Sequence, residues 1–367
     1  MTKGPSPSLI KLREQIDTID DQILALLKER LSHAKEIGRI KDKNKQAKWD
    51  PLREREILER INRNNRAEFP EQPLYSIFHE IITTCRLSQK AVDIAFLGPE
   101  ATYSHLAAMK HFGHQALYRP CETIEDIFIE VTAGRIRYGV VPVENSIEGA
   151  VTPSLDAFMK YRVKICGEVH LEISHNLINQ TGEMADIQVV ASHSQPLAQC
   201  RQWLKKNLAA IPCQTVFSTG VAAQMATKDK TVAAIASSLA AKIYQLQVVT
   251  KGIEDYRGNT TRFLVIGQKA PSRSGKDKTS LLIGLLDRPG ALNDTLQILA
   301  SRDINLTRIE SRPVKGGMPW KYLFFIDMLG HIDDPIIKDG CDQLRTGCSY
   351  FECLGSYPAA QESSADL

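Results

Sequence analysis

The sequence predicts a multi-domain chain in three parts: an all-α helical segment over residues 1–90, an α/β segment over 92–268, and an α+β ferredoxin-like unit over 279–358. Three observations predict this. Apolar residues recur at helical spacing up to about residue 90. Short apolar runs then alternate with amphipathic stretches, the signature of an α/β sheet. The last part reads strand, helix, strand, strand, helix, strand. A chain of 367 residues is also longer than one hydrophobic core usually organises.

In the helical part, Leu9, Leu12, Ile16, Ile19, Ile23 and Leu26 step by threes and fours along one seam, and the pattern continues to Ile37. A second helix starts after Asp50-Pro51, with Asp as cap and Pro in the first turn, and a third covers Tyr75–Lys90. Strands are expected at Asp93–Leu97, Tyr138–Val143, Ile187–Ala191, Thr231–Ala236 and Arg262–Ile266. Ala270–Lys278 is polar and rich in Pro, Gly and Ser, and reads as a linker. Strands at Ser280–Leu286, Ile304–Ile309, Tyr322–Met328 and Tyr350–Leu354 follow, with a helix at Gly290–Arg302 and a turn at Gly316-Gly317. Residues 359–367 read as a tail.

Composition excludes several classes of function. With 43% hydrophobic and 24% charged residues the balance is that of a globular protein, and a net charge of +3 demands neither nucleic acid nor an anionic membrane. No apolar run approaches the ~18 residues of a membrane span. Met1–Ser8 carries no apolar signal region, so a cytoplasmic protein is expected. The eight cysteines form no CxxC pair, and His33, His105, His111 and His114 show no zinc-like spacing. Reduced thiols and no metal are the expectation.

Two cations interrupt the seam of the first helix. Arg30 and Lys41 fall on its register, 11 residues or about three turns apart, so both share one face roughly 16 Å apart along the axis. Cations on an apolar seam call for an anionic partner. Leu12-Arg13-Glu14, Glu29-Arg30, Gly38-x-x-Lys41, Arg53-Glu54-Arg55-Glu56 and Gln89 together resemble the all-helical chorismate mutases, over about residues 8–90. The resemblance implies that Arg13, Arg30 and Arg53 hold the two carboxylates of chorismate, that Lys41 and Gln89 donate to its ether oxygen, and that Asp50 and Glu54 bind around the ring hydroxyl. Cys85 stands where some members have a site-lining serine. The rearrangement to prephenate needs no base or nucleophile, only restraint and fixed charges. Arg13 and Arg30 lie 17 residues apart, about 25 Å on a straight helix, so both cannot reach one small molecule within one chain. An antiparallel dimer, with Arg13 entering the partner's site, resolves this.

In the α/β part, polar clusters follow the expected strands: Gly98–Ser104, Glu144-Asn145-Ser146, Ser192-His193-Ser194-Gln195 and Ser237-Ser238. Ligands bind at such strand ends, where helix N-termini present N–H groups. With Asn259-Thr260-Thr261-Arg262-Phe263, these loops resemble prephenate dehydratase over about residues 92–268. The resemblance implies a two-lobed fold like the type II periplasmic binding proteins. Thr261 would be the donor to the departing hydroxyl. Thr102, Tyr103, Ser104, Glu144, Asn145, Ser146, Arg262 and Phe263 would bind substrate from one lobe and Ser192 and Gln195 from the other, with Ser237 also orienting it. Ala101 stands for the more usual Gly and Ser194 for the more usual Pro.

Gly290-Ala291-Leu292 at a strand-to-helix turn and Glu310-Ser311-Arg312-Pro313 after a strand resemble the ACT regulatory domain, which implies L-phenylalanine as an effector bound at these seven residues. Removal of residues 279–367 is expected to spare catalysis and abolish the effector response. The order of the three parts is similar to the bifunctional chorismate mutase–prephenate dehydratases, which implies no cofactor, chorismate and prephenate as substrates, no nucleic-acid or membrane partner, and a homodimer or higher homo-oligomer. Two other readings stand beside it. Arogenate dehydration differs only in a pocket preference. An amino-acid-sensing regulator using the basic run Lys41–Lys48 would need short helices around a tight turn, whereas the first helix runs ~30 residues.

Overall fold

The computed structural model describes residues 7–44, 50–88, 92–314 and 322–360. Gln89, the Gly316-Gly317 turn, residues 45–48 of the basic run and residues 361–367 of the tail lie outside these residues. The chain forms two compact units, residues 1–91 with 113–115, and residues 92–112 with 116–367.

The first unit contains three helices: α1 (Pro7–Lys43), α2 (Pro51–Asn65) and α3 (Glu71–Leu87). Helix α1 runs unbroken through Gly38 for 37 residues. Asp50 caps α2, its Oδ1 accepting the Arg53 N–H at 3.1 Å, and Pro51 occupies the first turn where its missing N–H costs nothing. The apolar seam of α1 remains half or more exposed at Leu12, Ile16, Ile19, Ile23 and Leu26.

The second unit begins with an α/β lobe. Its elements are β1 (Asp93–Leu97), α4 (Tyr103–Phe112), β2 (Leu117–Cys121), α5 (Ile124–Thr132), β3 (Tyr138–Asn145), β4 (Gly149–Ala150), α6 (Thr152–Lys160) and β5 (Lys164–Glu172). The chain then crosses to a second lobe: β6 (Asn176–Asn179), β7 (Val189–Ser192), α7 (Ser194–Gln199), α8 (Arg201–Asn207), β8 (Cys213–Thr215), α9 (Thr219–Lys228), β9 (Val232–Ala236), α10 (Ser238–Ile243) and β10 (Gln247–Thr250). It returns as β11 (Thr260–Gly267), which inserts between β3 and β5 and runs antiparallel to both. The first sheet has the order β2-β1-β3-β11-β5 with β4 on β3, and the second β10-β6-β9-β7-β8. Each lobe therefore has its own sheet, and two crossovers join them, around residues 173–175 and 251–259.

The C-terminal part comprises β12 (Asp277–Leu285), α11 (Ala291–Ala300), β13 (Leu306–Pro313), β14 (Tyr322–Leu329), α12 (Pro335–Gly347) and β15 (Cys348–Pro358), in the antiparallel order β13-β14-β12-β15. One face of this sheet forms its own core with both helices, including Leu281, Leu299, Ile326 and Leu344. The other face shares a core with the first lobe, in which Leu282, Phe325, Leu354 and Tyr357 join Phe128, Val141 and Leu264. Gly355 makes this approach possible, because a Cβ there would lie 2.5 Å from the Ile165 carbonyl oxygen. The segment 270–278 differs from a loose linker. Ser274 and Asp277 are buried, and the Asp277 carboxylate accepts the N–H groups of Ser274 and Gly275 at 2.9 Å.

Candidate active sites

Between the two lobes lies a cleft of about 760 Å³, lined from the first lobe by Thr102, Tyr103, Ser104, Asn145, Thr261 and Phe263, and from the second by His193 and Gln195. At its centre Thr261 on β11 is in register with Asn145 on β3. The amide of Asn145 has one possible orientation, because its Oδ1 accepts the N–H groups of Ile147 and Glu148, both at 3.0 Å. Its Nδ2 therefore donates to Thr261 Oγ1 at 2.9 Å and to Asn259 Oδ1 at 2.7 Å. Thr261 accepts from Asn145, and its own proton is left to donate into the cleft.

A chain of donors and acceptors continues from Asn259 across both crossovers. Gln199 Nε2 donates to Glu148 at 3.3 Å, so its Oε1 is the acceptor for Asn259 Nδ2 at 3.3 Å and for His175 Nε2 at 2.8 Å. His175 Nε2 thus carries the proton, and Nδ1 faces the Tyr103 hydroxyl at 2.8 Å. Burial holds His175 below the ordinary histidine range, against the opposing pull of Gln199 and Glu254, and keeps the ring neutral. Burial also pushes the Tyr103 phenol far above its usual value, so it stays protonated. His175, Gln199 and Asn259 line the cleft beyond the site residues that the sequence motifs single out. Gln199 lies one helical turn beyond Gln195 on α7, so the motif held two candidate amides. His175 sits on a crossover whose flanking strand β6 was not foreseen.

Five expected substrate ligands lie elsewhere. Ser192 is fully buried and donates to the Ile235 carbonyl at 2.7 Å. Ser146 Oγ accepts the Thr260 N–H at 2.9 Å and ties the strand pair together. Ser237 caps α10, donates to the Ala101 carbonyl at 3.2 Å, and borders a separate cavity of about 490 Å³. Glu144 and Arg262 project from the opposite face of the sheet, because side chains alternate along a strand and their neighbours Asn145 and Thr261 take the cleft side. Of the two departures in the loops, Ala101 adopts φ 66°, the left-handed region glycine prefers, and Ser194 occupies the first position of α7, where proline fits.

In the helical unit, Arg30 Nη1 donates to the Ile81 carbonyl of α3 at 3.3 Å. Glu54 pairs with Arg86 at 3.1 Å, a partner not foreseen, and Cys85 is buried beside it in sequence. Arg53 is exposed and pairs with Glu56 at 3.0 Å, Arg13 is exposed, and Lys41 is half-buried in the last turn of α1. Gln89 lies outside the described residues.

On the C-terminal sheet, Gly290 takes φ 79° at the start of α11, a conformation that favours glycine, with Ala291 and Leu292 in the first turn. Glu310, Ser311, Arg312 and Pro313 belong to β13 itself, an edge strand, rather than to a loop after it. Glu310 and Arg312 are half-buried, while Ser311 and Pro313 are exposed. Arg312 pairs with Asp156 of α6 at 2.9 Å. Among the described residues no cluster of His, Cys, Asp or Glu could hold a metal ion, and no helix is long and apolar enough to cross a membrane.

Fold and cleft together define a two-lobed α/β protein with a hydroxyl–amide pair between its lobes, a helical unit before it in the chain and a ferredoxin-like sheet after it. Family models match in the same order: chorismate mutase type II over residues 12–90, prephenate dehydratase over 94–271 and the ACT domain over 279–339. The chain is 44% identical to the bifunctional chorismate mutase/prephenate dehydratase of Aquifex aeolicus, covering 96% of this chain and 98% of that one. It is 40% identical to the protein of that name from Stutzerimonas stutzeri, covering 95% and 97%. The crystal structure of the Arthrobacter aurescens prephenate dehydratase in complex with L-Phe superposes with a TM-score of 0.67 at 34% identity, covering 73% of this chain and 90% of that one. The chain belongs to the bifunctional chorismate mutase/prephenate dehydratase family and carries both enzymes and an ACT domain.

Proposed function

We propose that the helical unit rearranges chorismate to prephenate and that the interlobe cleft converts prephenate to phenylpyruvate, with Thr261 and Asn145 as the central pair. The observation that carries the second step is the forced orientation of Asn145. It makes Thr261 an acceptor on one side and a donor on the other. In the reaction the bond to the ring carboxylate breaks and its electrons enter the ring. The ring C–O bond breaks in turn, and the departing hydroxide takes a proton to leave as water beside CO₂. Aromatisation drives the step, so the protein needs only to stabilise the leaving oxygen and hold the carboxylates. A threonine hydroxyl is too weak an acid to lose its proton outright. It serves as a hydrogen-bond donor or relay, and Gln195 and the neighbouring backbone N–H groups hold substrate from the second lobe.

In the mutase, Arg30, Lys41 and Gln89 are the electrostatic elements of one site, and Arg13 belongs to the site of a second copy packed antiparallel on the exposed seam of α1. Asp50, Arg53 and Glu54 complete the carboxylate and hydroxyl contacts. L-phenylalanine is the feedback ligand. The Arthrobacter relative is described in complex with L-Phe. The left-handed Gly290 turn offers N–H groups to its carboxylate, Glu310 an anion to its ammonium, and the free edge of β13 a place for a second ACT sheet. All the described cysteines are free, which suits the reducing cytoplasm.

The test separates the two activities. Arg30→Ala is expected to abolish chorismate consumption while added prephenate still yields phenylpyruvate, and Thr261→Ala to do the reverse. Loss of both activities from either change in a folded protein rejects the two-site assignment.

A further inference from the structure

We infer that Glu144 and Arg262 are positioning residues, through which the C-terminal sheet sets the geometry of the Asn145–Thr261 pair. Strands β3 and β11 pair Thr261 with Asn145, and in the next register position Arg262 with Glu144. The catalytic pair and the charged pair are thus adjacent rungs of one ladder on opposite faces, joined by single peptide bonds. The register shifts immediately beyond, between Arg262 and Phe263. A bulge interrupts the ladder there and makes the local backbone easier to displace than a regular pair of strands.

The rear face of this ladder is held from two sides. Arg262 is 9% exposed, and donates through Nε to Glu168 of β5 at 2.8 Å. Its other nitrogens reach the C-terminal sheet, Nη1 to Asp327 of β14 at 2.6 Å and Nη2 to the Tyr357 hydroxyl of β15 at 3.0 Å. Ser280 of β12 closes the knot, donating to Asp327 at 2.5 Å and meeting Tyr357 at 2.7 Å. A guanidinium so buried and so fully paired cannot shift without its partners. Any movement of β14 or β15 relative to the lobe is passed to residue 262, and so to residue 261.

The second contact is less complete. The side chain of Arg308 on β13 is 9% exposed, with Nε 3.2 Å from Glu144 and Nη2 3.9 Å from Glu310. Neither nitrogen has a well-aligned hydrogen bond. Arg308 therefore stands between two carboxylates, one behind Asn145 and one in the segment assigned to the effector. A ligand ammonium at Glu310 takes charge away from Arg308 on that side and commits it to Glu144. This last step rests on the effector assignment above, whereas the positioning role does not.

The experiment measures dehydratase kcat and KM on added prephenate in Glu144→Gln, Arg308→Gln, Arg308→Lys and Tyr357→Phe full-length proteins, with mutase activity of the same samples as the internal control. Tyr357→Phe removes one hydroxyl and keeps the ring, so the core stays filled. Positioning predicts a dehydratase kcat lower by roughly 10- to 100-fold in Glu144→Gln and Arg308→Gln, a smaller loss in Tyr357→Phe, partial rescue by Arg308→Lys, KM within about twofold, and an unchanged mutase. A raised KM at wild-type kcat makes Glu144 a substrate ligand and overturns the proposal. So does wild-type kcat in all four variants. Calorimetric titration with L-phenylalanine distinguishes the remaining case: binding without inhibition in Arg308→Gln supports the Glu310–Arg308–Glu144 route. Undiminished inhibition refutes that route, and absence of binding to the wild-type protein refutes the effector assignment while the kcat result stands.

Discussion

At the residue scale the chemistry depends on which atom of an amide faces which neighbour. Asn145 is locked by two backbone donors, so replacing its NH₂ by oxygen changes chemistry without changing shape. In Asn145→Asp the second oxygen can no longer donate to Thr261. It instead draws the threonine proton to itself and places a negative charge beside a dianionic substrate. Dehydratase kcat is expected to fall by about 10²- to 10³-fold, the loss typical of removing one preorganised donor, with mutase activity unchanged. Steady-state rates on prephenate check this, and a loss below tenfold removes the central role from Asn145. The placement of residues at the cleft was partly legible in the sequence. Thr261, Asn145 and the Thr102–Ser104 turn could be picked out because their motifs are contiguous. Glu144 and Arg262 share those motifs yet serve the other face, and motif membership carries no information about strand parity until the register is known.

At the scale of elements, legibility followed the apolar pattern. β1, β3, β9 and β11 are nearly continuous apolar runs, and they lie where they were expected within a few residues. β5 was missed because Glu168 and His170 interrupt Lys164–Glu172. The interruption is structural, since Glu168 accepts both Arg262 and, at 2.8 Å, Lys278. An ion pair that buries a carboxylate inside a sheet hides the strand from any reading based on hydrophobicity. Helix α1 poses the opposite case: its seam was plain, but the seam remains uncovered within one chain. Its 37 residues span about 55 Å, so Arg13 and Arg30 serve different ends. Co-expressed Arg13→Ala and Arg30→Ala chains are therefore expected to regain mutase activity that neither parent shows, because one site of each mixed dimer carries both defects and the other none. Assay of purified heterodimers checks this, and no recovery returns Arg13 to a structural role.

For the whole molecule, the three-part reading of the sequence describes the chain order well and the physical joints less well. The segment 270–278 looked like a spacer because it is polar, yet its buried turn and the shared core fasten the C-terminal sheet to the first lobe. The expectation that residues 279–367 could be removed cleanly is revised accordingly. Their loss strips Leu282, Phe325, Leu354 and Tyr357 from a common core and leaves Arg262 without two of its partners. Breaking the buried ion pair alone costs about 3–5 kcal/mol. The truncated chain is expected to unfold well below the full chain in a thermal melt, and equal melting temperatures would show that the two parts are independent. Desensitisation is better sought by point substitution than by deletion.

The insertion of β11 between β3 and β5 also orders the birth of the enzyme on the ribosome. Asn145 and Thr261 lie 116 positions apart, and the whole second lobe is translated between them. At about 5–20 residues per second that interval is roughly 6–23 s. Once β5 has been made, the first lobe presents two open strand edges around an empty slot, the kind of surface that invites pairing with other nascent chains. The second lobe, continuous in sequence, can finish within that time, and the slot then closes with the strand that brings Thr261. The anchors Asp327 and Tyr357 emerge later still, so the helical unit is complete early in synthesis and the dehydratase only at its end.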